Sequence, residues 1–393
     1  MRLLFVVTED WAFLRHRLPM ARAALNMGLT VAVATRVSDH GDAIRALGIK
    51  VFDIPVDRAG ISPLKDLGYL NRLKGVMRSY APDLVHNIAA KPILYGSLAA
   101  RRAAPRAAVI NAFTGLGILF TGDAKGRRSA KGRVLGAVLM TALRCLCVRN
   151  RVHMLVQNKD DRAFLEGHRI GRPERTHLIP GSGVDLDLFP QTPPPPAPPV
   201  RAVLVGRLLK TKGVEEFAQA ARLLKTKRRD DIRLILVGAP DPGNPTTVAE
   251  ADLDAWKSEG VLDWSGETAD IAGVWAGAHI AVLPSYREGM PKSLLEAAAA
   301  GRPMIATDVP GCRDLVRAGE TGVLVPPFDA AALADAIERL ADDGELRSQM
   351  GRAAHLDVER VFGAIPVGKA IAELYGHALK LSATITNDGE PNQ

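Results

Sequence analysis

Short apolar runs recur along the chain, separated by turn residues and amphipathic stretches. LLFVV (3–7), TVAVAT (30–35), KVFDIP (50–55), DLVHNI (83–88) and AAVINAF (107–113) read as strands buried on both faces. Helices fit between them at about 18–27, 42–47 and 64–80, with Gly28 placed to end the first. A second series follows residue 200: AVLVG (202–206), RLILVG (233–238), VLDWSG (261–266), HIAVLP (279–284), PMIAT (303–307) and GVLVP (322–326). Helices at about 214–224, 252–258, 292–300 and 330–340 alternate with these strands. The pattern predicts an α/β fold with two parallel sheets, each doubly wound by helices.

Between the two series lies TPPPPAPP (192–199), six prolines in eight residues. Such a run is extended and reads as a connector. The expected domains are therefore 1–190 and 201–364, joined by a linker at 191–200. A helix over about 365–380 is expected to pack back on the first domain, ahead of a disordered tail at 381–393.

Composition narrows the class. The chain has 393 residues, of which 47% are hydrophobic and 24% charged, which excludes disordered, collagen-like and disulfide-scaffold proteins. No run reaches the roughly 18 apolar residues of a membrane span; the longest, 134–148, is broken by Arg144. The apolar run 3–7 is too short for a signal-peptide core. Three cysteines, Cys145, Cys147 and Cys312, have no framework spacing and fit a reducing cytosol.

Charge is unevenly divided. Residues 1–200 hold 29 Lys/Arg against 15 Asp/Glu, a net +14, while residues 201–393 hold 22 against 28, a net −6. This asymmetry predicts an anionic partner bound mainly by the first half. Nucleic acid, an anionic membrane and a phosphorylated substrate all satisfy it. Nucleic acid is set aside because no binding module is evident and aromatic residues are only 5% of the chain.

The first strand runs into TEDWAF (8–13), which lacks the glycines of a dinucleotide-binding turn. A Walker-type loop is also absent, since Lys212 precedes Gly213 rather than following it. VGRLLKTKGV (205–214) instead sets Gly206, Arg207 and Lys212 in a loop between a strand and a helix. Two cations there can grip a diphosphate, one as a fork and one as a point charge; a solvated basic loop is the alternative. PSYREGMPKSLLEAAAAGRPMIATDVPG (284–311) places Glu288 in the loop after a strand. Glu296 falls about one turn into the next helix, whose first turn suits Pro291. Both carboxylates can face one cleft beside an anion-attracting helix N-terminus. Alone, a surface glutamate and a helix-start glutamate account for the spacing equally well.

Together these segments resemble the retaining glycosyltransferases of family 4. These have the GT-B fold, two facing Rossmann-like doubly wound domains with an interdomain cleft. The family's Glu-x7-Glu element matches Glu288 and Glu296, and its diphosphate grip matches Gly206, Arg207, Lys212 and Gly213. IPGSGVDLDLF (179–189) is similar to the family's interdomain crossing. The resemblance implies that Arg207, Lys212 and Glu288 are catalytic, the first two on the donor diphosphate and the third on the transferred sugar. It also implies that Gly289 and Met290 meet that sugar, that Ser293 and Leu294 offer N–H groups to phosphate, and that Glu296 holds the ribose. The base is expected near 267–271. No metal or other cofactor is implied, because cationic side chains neutralise the diphosphate.

The loop Thr114, Gly115, Leu116, Gly117 resembles a subgroup that adds N-acetylated sugars to polyprenyl-diphosphate-linked saccharides, with N-acetylgalactosaminyltransferases acting on undecaprenyl-diphosphate-linked bacillosamine as the nearest likeness. WAFLRHRLPMA (11–21) points the same way and offers His16 and Arg17 to the acceptor; packing at a helix start is the alternative for His16. His86 reads as a satisfied strand residue. KGRRSAKGR (125–133) carries Lys125, Arg127, Arg128, Lys131 and Arg133 ahead of a helix expected at about 130–149. Its stripe of Leu135, Leu139, Leu143 and Leu146 suits either a membrane interface or a domain core.

The expectation is a cytoplasmic enzyme, peripheral on the inner membrane. It would move a sugar, GalNAc or similar, from a UDP-sugar to a polyprenyl-diphosphate-linked acceptor on an anionic membrane surface. The same fold acting on GDP-mannose, UDP-glucose or a soluble acceptor is the alternative, and a non-catalytic nucleotide-sugar binder a more distant one.

Overall fold

A computed structural model describes residues 1–56, 62–115 and 130–387, with only the backbone for 63, 130–135 and 381–387. The chain forms two units, Met1–Gly183 with Ile365–Gln393, and Val184–Ala364.

Unit 1 begins β1 (Arg2–Glu9), α1 (Asp10–Asn26), β2 (Thr30–Arg36), α2 (Gly41–Ala46), β3 (Lys50–Asp53), α3 (Pro63–Tyr80) and β4 (Leu84–Ile88). A wide helical turn at Pro92–Gly96 leads into α4 (Ser97–Ala103), then β5 (Ala108–Phe113), α5 (Ala130–Cys147), β6 (Val152–Val156), α6 (Lys159–Gly167) and β7 (Thr176–Leu178). Its seven strands are parallel, in the order β3-β2-β1-β4-β5-β6-β7. Side chains alternate across the sheet. Leu4 and Val6 join Val85, Val109 and Met154 beneath Leu73, Met77 and Leu143 of the helices. Leu3, Phe5 and Val7 join Ile110 and Leu155 beneath Phe13, Met20 and Ala24 of α1.

Two features of unit 1 differ from the sequence reading. Helix α1 starts at Asp10 rather than near 18 and runs through Pro19. Its buried residues Asp10, Phe13, Arg17, Met20, Ala21 and Ala24 recur at spacings of three and four on both sides of the proline. That continuous buried stripe outweighs the one backbone hydrogen bond proline removes. Strands β6 and β7 and helix α6 extend the sheet beyond AAVINAF, where none was expected.

The stripe on α5 is a core feature where its side chains are described. Leu143 and Leu146 are buried, and Leu139 packs against the unit 1 core, so these leucines are not free to enter a membrane. Among the described residues no helix is long and apolar enough to cross one.

Unit 2 comprises β8 (Val200–Val205), α7 (Val214–Thr226), β9 (Ile232–Val237), α8 (Glu250–Ser258), β10 (Asp263–Trp264), α9 (Ile271–Ala276), β11 (Ile280–Leu283) and α10 (Lys292–Ala299). It ends with β12 (Met304–Thr307), α11 (Cys312–Leu315), β13 (Gly322–Val325), α12 (Ala330–Asp342) and α13 (Gly344–Asp357). The six strands are parallel, in the order β10-β9-β8-β11-β12-β13. One face packs Ala202, Leu204, Leu234 and Val282 against Phe217, Leu224, Leu333 and Ile337. The other packs Val203, Val205, Leu283 and Ala306 against Leu294, Leu295 and Ala298 of α10.

The last helix, α14 (Ala364–Asn387), returns to unit 1. Val367, Ile371, Leu374 and Tyr375 complete the cluster around Phe5 and Phe13. Its backbone continues to Asn387, into the segment expected as a disordered tail. The stretch has no glycine or proline before Gly389, so each residue adds a hydrogen bond to an existing helix.

The boundary between units also moves. It falls at residues 183 and 184, and the proline run lies within unit 2 rather than between the units. Arg302 donates to Thr192 Oγ1 and the Pro193 carbonyl, and the His279 ring meets the Pro195 carbonyl at 3.0 Å. An extended proline segment has no N–H groups to satisfy, so a few donors to its carbonyls suffice to hold it on a surface.

Candidate functional site

In an open parallel sheet, ligands gather at the carboxyl ends of strands where the strand order reverses. In unit 2 that point lies between β8 and β11, because β9 pairs on the far side of β8. The loops that leave these two strands carry the residues singled out in the sequence. Residues 206–213 follow β8, and residues 284–291 follow β11.

The two loops meet through Lys212 and Glu288. The Lys212 ammonium donates to Glu288 Oε1, and both side chains are largely buried. Ser285, fully buried, donates from Oγ to the same oxygen at 2.7 Å. Thr307 at the end of β12 donates in turn to the Ser285 carbonyl. Two donors on Oε1 fix the carboxylate and leave Oε2 without a hydrogen bond among the described residues. The Tyr286 N–H bonds the Thr211 carbonyl at 3.0 Å, a backbone tie between the loops.

Two glycines make this approach feasible. Gly213 has φ +72°, and a Cβ there would overlap the Pro284 carbonyl. Gly311 has φ +80°, and a Cβ would stand 2.6 Å from the Gly289 oxygen and 2.8 Å from the Glu288 oxygen. A side chain at either position would meet both a strained backbone and a steric block. Cys312 follows in the same wall, and burial pushes its thiol well above the ordinary range, so it stays protonated and inert.

Helix α10 begins directly behind. Its first intrahelical donor is the Leu295 N–H, to the Pro291 carbonyl. The N–H groups of Lys292, Ser293 and Leu294 precede that bond, as expected for a helix start. Glu296 is buried one turn in, with Lys292 Nζ 3.5 Å from its Oε1. Gly289 is buried and Met290 packs against the core under α10. Arg207 is exposed at the end of β8, beyond Gly206, and its Nη1 lies 2.7 Å from Asp241 Oδ2. An exposed cation held by one half-buried carboxylate can exchange that partner for a phosphate at little cost.

The structure thus brings Lys212 onto Glu288 and Gly213 close to Pro284 across the two loops, with Gly289, α10 and Glu296 next in the chain. Ser285, Asp241 and Gly311 were not singled out from sequence. Ser285 and Gly311 lay within quoted motifs, but their roles depend on contacts between separate loops.

In unit 1, Thr114 and Gly115 are half-buried at the carboxyl end of β5, and Gly115 has φ +114°. Leu116, Gly117, Lys125, Arg127 and Arg128 lie outside the described residues, as do the side chains of Lys131 and Arg133. His16 is half-buried and meets Trp11 edge to face. Arg17 departs from its expected place facing the acceptor, since it sits on the inner stripe of α1 and is buried beside Tyr375. Burial lowers its pKa to about 10, still high enough to remain charged. His86 is satisfied on one side only among the described residues: Nδ1 meets the Tyr375 hydroxyl at 2.8 Å, while Nε2 is buried with no hydrogen-bond partner among them. Among the described residues no group of three or more His, Cys, Asp or Glu side chains is arranged to hold a metal ion.

Residues 2–144 match a family model described as glycosyl transferase 4-like, and residues 199–343 match one described as glycosyl transferases group 1. The chain is 25% identical to the N,N'-diacetylbacillosaminyl-diphospho-undecaprenol alpha-1,3-N-acetylgalactosaminyltransferase of Campylobacter jejuni, over 97% of this chain and 100% of that protein. Among solved structures, sucrose-phosphate synthase from Thermosynechococcus elongatus aligns with TM-score 0.79 at 20% identity, covering 97% of this chain and 99% of the other. Anabaena HepE in complex with UDP-glucose aligns with TM-score 0.75 at 18% identity, covering 96% and 100%. Two parallel-sheet units, each carrying one of these glycosyltransferase matches, make the protein a glycosyltransferase of the GT-B fold.

Proposed function

We propose that the protein is a retaining glycosyltransferase that moves an N-acetylated sugar from a UDP-sugar to a polyprenyl-diphosphate-linked saccharide. The observation that carries the reading is the Lys212–Glu288 pair at the switch point of unit 2, shortly before the N-terminus of α10. A diphosphate needs fixed positive charge, and a sugar needs a fixed carboxylate for its hydroxyls. This pair supplies both within one hydrogen bond of each other.

In this reading Arg207 leaves Asp241 for the donor diphosphate, and Lys212 neutralises the charge that grows on it. Glu288 Oε2 accepts from the sugar hydroxyls, and buried Glu296 holds the ribose. Gly206 and Gly213 flank the diphosphate grip, Gly289 and Met290 present backbone to the sugar, and Ser293 and Leu294 offer N–H groups to phosphate. The bond from the anomeric carbon to the diphosphate oxygen breaks, and a bond from that carbon to the acceptor oxygen forms. The acceptor hydroxyl proton passes to the departing diphosphate, whose charge Arg207 and Lys212 neutralise in place of a metal ion.

The acceptor class is supported by the Campylobacter relative, whose name specifies a diphospho-undecaprenol acceptor and which matches along its full length. The +14 charge of residues 1–200 supports an anionic partner there, either the acceptor diphosphate or the membrane surface that presents it. His16, Thr114, Gly115, Leu116 and Gly117 belong to the acceptor side of this reading, and the basic segment 125–133 to the membrane side.

Nucleotide release tests it. Purified protein is incubated with a panel of UDP- and GDP-sugars, with and without a bacterial polyprenyl-lipid extract. Lipid-dependent UDP release from one N-acetylated sugar is expected, undiminished by EDTA. Release that ignores lipid, or prefers GDP, overturns the assignment of acceptor or donor.

A further inference from the structure

The opposite end of strand β11 carries a second charged site. His279 precedes β11 and Pro284 follows it, so the two ends lie roughly 16 Å apart along the sheet. At the His279 end is a pocket of about 370 Å³, roofed by the proline segment from Gln191 to Ala197. Its charged lining consists of Arg302, Arg347 and Arg352, with no aspartate or glutamate.

Arg302 is the unusual member. It is 1% exposed, and its hydrogen bonds go to neutral oxygens: the carbonyls of Trp275, Ala276 and Pro193, and the Thr192 hydroxyl. These bonds use Nε and Nη2, and Nη1 makes none. A buried guanidinium is ordinarily paired with a carboxylate, because desolvation of a lone charge is expensive. Among the described residues none pairs with Arg302. Arg347 likewise gives Nη1 to two carbonyls, those of Leu340 and Ala341.

The nearby acids are already engaged. Asp343 caps α13 by accepting from the Leu346 N–H at 2.8 Å. Glu345 accepts from Gln349 at 3.0 Å and pairs with Arg352 at 3.5 Å. His279 adds no charge, since Nδ1 accepts from the Arg201 N–H and Nε2 donates to the Pro195 carbonyl. The pocket is therefore cationic, roomy and short of acceptors.

We propose that this pocket binds a phosphate group, as inorganic phosphate or on a small phosphorylated molecule, at a site separate from the one that carries Lys212 and Glu288. A tetrahedral dianion offers acceptors in several directions and matches the two guanidinium groups, Arg302 and Arg347, that hydrogen-bond no carboxylate. Ser348, half-buried in the same lining, supplies a hydroxyl.

Calorimetric titration of the full chain with inorganic phosphate, at ionic strength fixed with chloride, tests the site. Ser348→Glu places a carboxylate in the lining without removing any bond that holds the proline segment. Arg302→Lys keeps the charge but not the fork. Lys212→Ala serves as the control for phosphate in the other site, and circular dichroism checks that each variant is folded. Saturable binding is expected in the parent chain and in Lys212→Ala, weakened at least tenfold in Ser348→Glu and in Arg302→Lys. A parallel titration with glucose 6-phosphate distinguishes the sources, tighter binding than inorganic phosphate pointing to a phosphorylated molecule. No saturable phosphate binding, or binding lost in Lys212→Ala and kept in Ser348→Glu, overturns the proposal.

Discussion

Glu288 Oε1 receives two donors, and their removal should have different consequences. Lys212 carries the charge in the proposed reaction, so Lys212→Ala should lower kcat about 10²–10³-fold, the usual cost of deleting one charge-stabilising group. Its far-ultraviolet circular dichroism should be unchanged, and near-normal turnover would remove the diphosphate role. The Ser285 hydroxyl donates to the carboxylate and acts by positioning it. Ser285→Ala should lower kcat about tenfold while the Kd for UDP moves less than twofold. Equal losses in both would reassign Ser285 to general packing. Gly311→Ala forces a Cβ against the Glu288 and Gly289 carbonyls at positive φ, and should reduce both folding yield and turnover. The Glu288–Glu296 spacing was legible in the sequence because Pro291 announces where α10 begins. Ser285 and Asp241 were not, because their partners stand on other loops, and nothing local to PSYREG or to residues 239–247 reveals them.

Among the elements, the strands of unit 1 carry buried histidines. Burial lowers His86 on β4 and His153 on β6 to about 3, and also lowers His177 on β7. His153 Nδ1 meets His177 Nε2 at 3.1 Å, and His377 of α14 packs its ring against both. The unfolded chain takes up protons on His86 and His153 near pH 6.5, whereas the folded chain resists down to about pH 3. Stability is therefore fully present above pH 6.5 and falls with pH below it, by roughly 1.4 kcal/mol per pH unit for each such ring. Urea midpoints measured from pH 7 to pH 4 should drop steeply, and His153→Asn should flatten the slope by about one proton. An unchanged slope would mean that His153 is protonated in the fold. The elements themselves were read with uneven success, for a physical reason. Strands such as TVAVAT announce themselves because both faces are buried. The segment around β6, VHMLV, hides an equally buried strand because histidine and flanking arginines dilute its apolar signal. Helix α1 was read as starting near residue 18, whereas its buried stripe begins at Asp10 and runs on through Pro19.

For the whole molecule, charge and connectivity matter more than any one contact. If the basic first half meets an anionic surface, replacing Arg127, Arg128, Lys131 and Arg133 by glutamine should release the protein from vesicles rich in anionic lipid. Each cation near such a surface contributes about 1 kcal/mol, and unchanged sedimentation with vesicles would discard that role for the segment. The two-domain α/β plan was legible throughout, since it rests on alternation repeated over the whole chain. The boundary was not, because a proline run reads as a spacer whether it spans a gap or lies strapped along a surface.

The path of the chain sets an order on its maturation. Unit 2 is one continuous stretch, whereas the inner face of unit 1 needs Val367, Ile371 and Tyr375 to cover Phe5 and His86. During synthesis the last of these residues leaves the ribosome only after all of unit 2. The earlier-made sheet must then wait with an apolar face uncovered while the later-made one can close. A stop codon before residue 367 would strand the N-terminal half in that waiting state, prone to aggregate, beside a second half able to fold normally.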